Sequence, residues 1–197
     1  MSLIFFIVLS ISFIFTLSLE IVKRYFKLRV IYTRKIAHLF FFLIILIAHS
    51  LLSIKDCLLI LFIFLLVFIV SYIRYLLSSI HIKEYVTYGE LFYIVCFILL
   101  FVFWGNNYYI FTSSAFVLGF LDPISSLIKK ENKKEIRYNL IYLILCFVIL
   151  FLIAFYFKEF NFTKIIVASI AAMVADRFSE HGLDNITTPI IVALLLS

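Results

Sequence analysis

The chain has 197 residues, 66% of them hydrophobic, with 25 Phe, 12 Tyr and 1 Trp against only 4 Gly and 2 Pro. A soluble globule runs about 45–50% apolar and about 25% charged, whereas this chain is 14% charged with a mean hydropathy of +1.22; the composition excludes an ordinary soluble domain and makes lipid the solvent. The net charge of +6 does not point to nucleic acid, because most Lys and Arg stand in short runs between long apolar stretches, where they act as topology signals.

A helix needs about 20 mostly apolar residues to cross about 30 Å of hydrocarbon. On that ruler the chain reads as one all-α, polytopic membrane domain over residues 1–197, with about seven transmembrane helices and a short C-terminal half-helix. The first span, Leu3 to Leu19, lacks a basic leader and is followed by Lys23, Arg24, Lys27 and Arg29, so it reads as a retained span and not a signal peptide. The others run from Ile36 to Ile54, Cys57 to Leu77, Tyr88 to Trp104, Tyr108 to Ile128, Leu140 to Phe157 and Phe162 to Phe178. A last apolar piece, Ile190 to Leu196, is too short to cross and reads as a half-helix packed on protein.

Alternate loops differ sharply in basic residues. Those after spans one, three, five and seven hold fourteen of the 17 Lys and Arg, and the others hold Lys55, Lys158 and Lys164. The positive-inside rule then puts the N-terminus outside and the four basic loops in the cytoplasm. Cys57, Cys96 and Cys146 lie inside apolar stretches without CxxC spacing, which indicates packing and not a metal cluster or a disulfide framework.

Polar groups at span ends are functional hypotheses by default, and here they gather on the cytoplasmic side. Arg34, Lys35 and His38 open span two, Glu90 opens span four, Asp122-Pro123 stands near the end of span five, and Asp176 and Glu180 close span seven before His181, Asp184 and Asn185. Arg34 and Lys35 also fit simple membrane anchors, but His38 lies four residues after Arg34 on the same helical face, an arrangement suited to an anion. Asp is a preferred N-cap and Pro a preferred first helical residue, so Asp122-Pro123 predicts a break in span five, either a structural kink or a new helix N-terminus for phosphate. In the C-terminal segment, Thr187 or Thr188 is expected to cap a helix starting at Pro189, with Asp184 and Asn185 in the turn before it. Carboxylates able to hold Mg²⁺, cations able to hold phosphates and access to the bilayer are the parts of nucleotide-dependent phosphoryl transfer to a lipid.

These residues resemble a known family, the CTP-dependent polyprenol, dolichol and phytol kinases, which also include a CTP-dependent diacylglycerol kinase. Arg34-Lys35-Ile36-Ala37-His38 is similar to the family's Arg-Lys-x-x-His, and Gly89-Glu90-Leu91-Phe92-Tyr93 to its Tyr-rich opening of a later span. Asp122-Pro123 with Ser125 and Ser126 resembles Gly-Asp-Pro-x-Ala. Asp176 followed by Asp184-Asn185-Ile186-Thr187-Thr188-Pro189 resembles the C-terminal acid and Asp-Asn-x-Thr-x-Pro. The resemblance covers Arg34 to Pro189. Leu121 replaces a Gly, Lys129 another, Asp176 a Glu, and Lys134-Glu135-Ile136-Arg137-Tyr138-Asn139 stands where the family has Lys-Ser-x-x-Gly-Ser.

The resemblance implies transfer of the terminal phosphoryl of CTP, with Mg²⁺, to the hydroxyl of a membrane lipid alcohol. Carried over, His38, Asp176 and Asp184 are the expected catalytic groups. Arg34, Lys35, Asp122 and Asn185 are the expected nucleotide contacts, with Lys134 or Arg137 as the substitute phosphate cation, and Asp122 and Asp184 are the expected metal ligands. Two other readings stand beside it. A CTP:phosphatidate cytidylyltransferase-like enzyme would attack the α-phosphorus and release pyrophosphate, and a degenerate member would serve only as a membrane scaffold.

Overall fold

The computed structural model describes residues 2–74, 76–80, 88–125, 135–179 and 182–197, apart from the side chains of residues 135 and 136. Every regular element among them is helical: α1 (Leu3–Phe26), α2 (Val30–Leu51), α3 (Ile54–Arg74), α4 (Gly89–Trp104), α5 (Tyr108–Phe116), α6 (Glu135–Phe157), α7 (Phe162–Phe178) and α8 (Asp184–Leu196). Four of them, α1, α2, α3 and α6 over Arg137–Phe157, are long and apolar enough to cross a membrane, and α4 and α8 are shorter apolar helices.

Local chemistry starts several helices. The side chain of Ser2 accepts from the N–H of Phe5 at 3.3 Å, that of Asn107 from Ile110 at 3.1 Å and that of Asn161 from Lys164 at 3.0 Å, each satisfying one of the free N–H groups of a first turn. The helices outrun the apolar stretches. α1 continues through Glu20, Lys23 and Arg24 to Phe26, and α2 starts at Val30 and so carries Arg34 and Lys35 inside it. Backbone hydrogen bonds extend a helix past the point where its side chains become polar.

Near the end of α5 the chain departs from expectation. Val117–Leu121 is π-helical, Asp122 is itself helical at φ −58° and ψ −49°, and its N–H bonds to the carbonyl of Val117. Asp122 is therefore not an N-cap, and the expected break with a new helix N-terminus does not form. Pro123 has no N–H and its ring presses on the carbonyl four residues back, that of Gly119. A widened π turn accommodates it while the helix continues. A Cβ on Gly119 would collide with Phe42, so this glycine lets α2 close on the π turn.

α8 also differs from expectation. It begins at Asp184, with Pro189 inside it and no cap from Thr187 or Thr188. Thr187 instead donates to the carbonyl of Leu183 at 3.0 Å and lies 2.7 Å from the hydroxyl of Ser179. Short as it is, α8 packs against α4, α5 and α7, and Val192 and Ala193 are fully buried. With α4 it forms the centre of the bundle, around Cys96, Phe97, Leu100, Phe111, Leu118 and Leu121. Cys57, Cys96 and Cys146 are buried free thiols.

Candidate functional site

One end of the bundle collects polar groups from five helices and the helical turn after the π segment. α2 contributes Arg34, Lys35 and His38 from its first turns, α4 contributes Glu90, and the helical turn after the π segment contributes Asp122. Asp176 closes α7, Asp184 and Asn185 open α8, and Tyr138 comes from the start of α6.

Carboxylate oxygens of Asp122, Asp176 and Asp184 lie within 4.8 Å of one another. Lys35 Nζ is 2.8 Å from Asp122 Oδ2, and His38 Nδ1 is 3.5 Å from the same oxygen. Tyr138 donates its hydroxyl to Asp176 Oδ2 at 2.7 Å. Arg34 Nε lies 3.2 Å from Glu90 Oε1, so Arg34 and His38, which share a helical face, each face a different carboxylate. Asn185 donates from its amide to the carbonyl of Gly89 at 2.7 Å, tying the start of α8 to the start of α4.

That tie depends on two glycines. Gly182 has φ +90°, and a Cβ there would lie 2.6 Å from the Cα of Gly89. Only glycine allows both the left-handed backbone and the contact, and the contact sets where Asp184 begins α8.

The donor set fits a hard divalent cation. Three carboxylates converge, and Mg²⁺ or Ca²⁺ takes such oxygens at about 2.0–2.6 Å. Beside the three aspartates, Arg34 faces Glu90 and Lys35 faces Asp122. Asp184 is the first residue of α8 and is half-buried. Its carboxylate crowds against those of Asp122 and Asp176, a repulsion that a bound cation would relieve.

His38 joins this polar cluster to an apolar cleft. The residue is 4% exposed, its ring stacks on Tyr93 at 4.3 Å between centroids, and Tyr93 donates to the His38 carbonyl at 2.7 Å. Its Nε2 is buried without a hydrogen-bond partner. The cleft beside it runs between α2, α3 and α4 and is lined by Ala37, Phe41, Ile45, Ile60, Phe64 and Ile94, with Glu90 and Tyr93 also on its wall.

Of the residues singled out in the sequence, His38, Asp176, Asp184, Arg34, Lys35, Asp122 and Asn185 thus meet at one place. Arg137 is exposed, next to Tyr138 at the start of α6. Lys134, Glu180, His181 and Ser126 lie outside the described residues, as does most of the basic run from Lys129. Sequence reasoning missed Tyr138 and gave Tyr93 no role of its own. The available signal was a Tyr hydroxyl near the polar end of an apolar span, which needs a partner when buried. No family model, curated protein or solved structure matches this chain.

Proposed function

We propose that this chain is a multi-pass membrane phosphotransferase of the CTP-dependent polyprenol kinase type, which phosphorylates the hydroxyl of a membrane lipid alcohol: a polyprenol, dolichol, phytol-like alcohol or diacylglycerol. In this reading α1 to α7 are seven crossings, with α5 crossing together with its π segment, and α8 is a half-helix. The basic alternation of the loops puts the N-terminus outside and the site in the cytoplasmic half of the membrane.

One observation carries the reading. The Asp122 carboxylate is shared by Lys35 and His38 and lies within 4.8 Å of the other two aspartates, and His38 also lines an apolar cleft. Phosphoryl transfer is mostly positioning and charge neutralisation, and it uses these parts. Asp122, Asp176 and Asp184 would hold Mg²⁺, which when bound supplies positive charge for phosphate oxygens. Lys35 and Arg34 hold the carboxylates in place and add positive charge on the phosphate side. Asn185 and Gly89 fix the start of α8. The acceptor oxygen attacks the γ-phosphorus of CTP, the bond to the β–γ bridging oxygen breaks, CDP leaves, and the hydroxyl proton passes to His38 Nε2.

The test is transfer of label from γ-labelled CTP, with Mg²⁺, into a mixed lipid-alcohol extract by the purified protein in detergent, beside an Asp184→Ala control. Label in an organic-soluble phosphate with wild type alone is the expected result. Release of pyrophosphate would replace the reading with cytidylyl transfer. A chain that binds no CTP, and whose cellular phenotype survives Asp184→Ala, would be a scaffold.

A further inference from the structure

We propose that the groove between α1 and α3 is a binding site for an anionic phospholipid, with acyl chain along the groove and phosphate at Arg24 and Arg74. The proposal does not draw on the kinase reading: this groove shares no lining residue with the cleft beside His38.

The two walls follow one pattern. On α1 the lining residues step by three and four from Phe13 through Leu17 and Ile21 to Arg24, which makes them one helical stripe. On α3 the stripe runs through Leu66, Val67, Val70 and Ser71. The next residue on that face is Arg74, exposed at the last position of α3. Each stripe therefore passes from hydrocarbon to an arginine. The two ends lie at one level, because Glu20 of α1 accepts from Ser78 and Ser79 just beyond α3.

The space between the walls has a volume of about 700 Å³ and opens to the outside of the bundle, where Leu17, Ile21, Leu66 and Val70 are each more than half exposed. From Phe13 to Arg24 it runs about 16 Å at about 1.5 Å per residue, the depth of one leaflet in a hydrocarbon core about 30 Å thick. Along that length the described polar groups are already engaged. Thr16 donates to the carbonyl of Ser12 at 2.8 Å, and the Ser71 hydroxyl accepts from the Leu77 N–H at 3.0 Å. The walls thus offer an occupant hydrocarbon contact, and polar recognition falls to the arginine end.

Charge then selects the occupant. Glu20 is the acid among the described lining residues, and its carboxylate is covered by Ser78, the Ser79 N–H and Arg24 Nε. Arg24 spends Nε on that bond at 2.8 Å while its side chain is 69% exposed. Lys27 and Arg29 follow in the exposed turn after α1, and Tyr25, 79% exposed, marks the headgroup level as interfacial tyrosines do. A guanidinium at this depth matches a phosphate with paired N–H donors. A second copy of the chain is a poorer occupant, since parallel packing on this face would set Arg24 and Arg74 against the same residues of the partner. In the orientation proposed above this is the cytoplasmic leaflet, whose surface carries the anionic lipid.

The experiment is native mass spectrometry of the full-length protein with phosphatidylglycerol or phosphatidylcholine of identical acyl chains added to the detergent. Phosphatidylglycerol adducts are expected at lower lipid concentration than phosphatidylcholine adducts. Arg24→Gln and Arg74→Gln should each weaken phosphatidylglycerol binding roughly fivefold and leave phosphatidylcholine unaffected. Arg74→Gln is the cleaner reading, because it keeps the bonds of Glu20 in place. Val70→Trp, which fills the groove, should abolish the preference, with the thermal midpoint showing that each variant is folded, whereas Lys55→Gln at the opposite end of α3 should change nothing. Phosphatidylglycerol carrying a diazirine at its chain end should mark α1 near Phe13 and α3 near Leu66. Equal binding of the two lipids, or a dimer that forms without lipid and is lost in Val70→Trp, would overturn the proposal. So would labelling spread equally over outward residues of α6 such as Ile144 and Leu152, which are 52% and 58% exposed, the pattern of an unselective lipid annulus.

Discussion

Lys35 Nζ lies 2.8 Å from Asp122 Oδ2, joining the first turns of α2 to the turn that follows the π segment. The two residues are 87 positions apart, and both side chains are mostly buried. The pair is more than a clamp. Asp122 also faces His38 and its two fellow aspartates, so Lys35 brings a positive charge into direct contact with the trio.

Replacing Lys35 by Met should therefore be costly. Breaking a buried pair by removing one partner leaves the other charge uncompensated, about 3–5 kcal/mol. At about 2–4 °C per kcal/mol for a chain of this size, Lys35→Met should lower the thermal midpoint in detergent by roughly 6–20 °C. An unchanged midpoint would mean that the pair is solvated and that Asp122 has another source of compensation.

Divalent binding should follow the aspartates. Mn²⁺ is a paramagnetic substitute for Mg²⁺ at oxygen sites, and its binding can be read by electron paramagnetic resonance. Wild-type protein should bind Mn²⁺ in competition with Mg²⁺. Asp122→Asn, Asp176→Asn and Asp184→Asn should each weaken binding by at least about tenfold, since removing even a supporting partner of a ligand costs about 10–100-fold. Equal affinity in all three variants would remove the cation from this site.

The backbone contact of Gly182 with Gly89 should be equally sensitive. Gly182→Ala puts an L-residue at φ +90°, with its Cβ 2.6 Å from the Cα of Gly89. The left-handed conformation alone costs about 1–2 kcal/mol, and relief of the collision moves Asp184 and Asn185. Mn²⁺ affinity and thermal midpoint should both fall, whereas Leu183→Ala, at a residue 44% exposed, should change neither. If Gly182→Ala keeps wild-type affinity, the start of α8 is held by something other than this contact.

How much of this was legible depends on the kind of signal. Apolar length marks where helices lie, because about 20 apolar residues have one economical conformation in lipid. It does not mark where they end, as α1 passing Glu20 and α2 starting before Arg34 show. The site residues were legible as types at span ends, since polar groups there need a reason. Their pairing was not. Arg34 faces Glu90 and His38 faces Asp122 because of how α2, α4 and α5 are rotated about their axes, and composition does not encode that. The close approach of Phe42 to Gly119 in the π turn likewise comes from another helix. A capping rule applied to Asp122-Pro123 sees only the local chain.

A second polar knot separates structure from chemistry. Glu20 accepts from the Ser78 hydroxyl at 2.7 Å, from the Ser79 N–H at 2.7 Å and from Arg24 Nε at 2.8 Å. Lys23 donates to the Ser78 carbonyl at 2.5 Å and Thr33 to that of Ser79 at 2.6 Å. These bonds fasten α1 and the start of α2 to the segment after α3, and they share no side chain with the aspartate cluster. Glu20→Ala leaves the buried N–H of Ser79 without its acceptor, at about 1–3 kcal/mol, or roughly 2–12 °C of thermal midpoint. The folded protein should still bind Mn²⁺ as wild type does, because Asp122, Asp176 and Asp184 are held by the turn after the π segment, α7 and α8. A variant that melts normally but loses Mn²⁺ would show that Glu20 belongs to the site. A variant that loses stability alone would show that a buried carboxylate in this bundle can be purely a fastening, which is what sets the three aspartates apart.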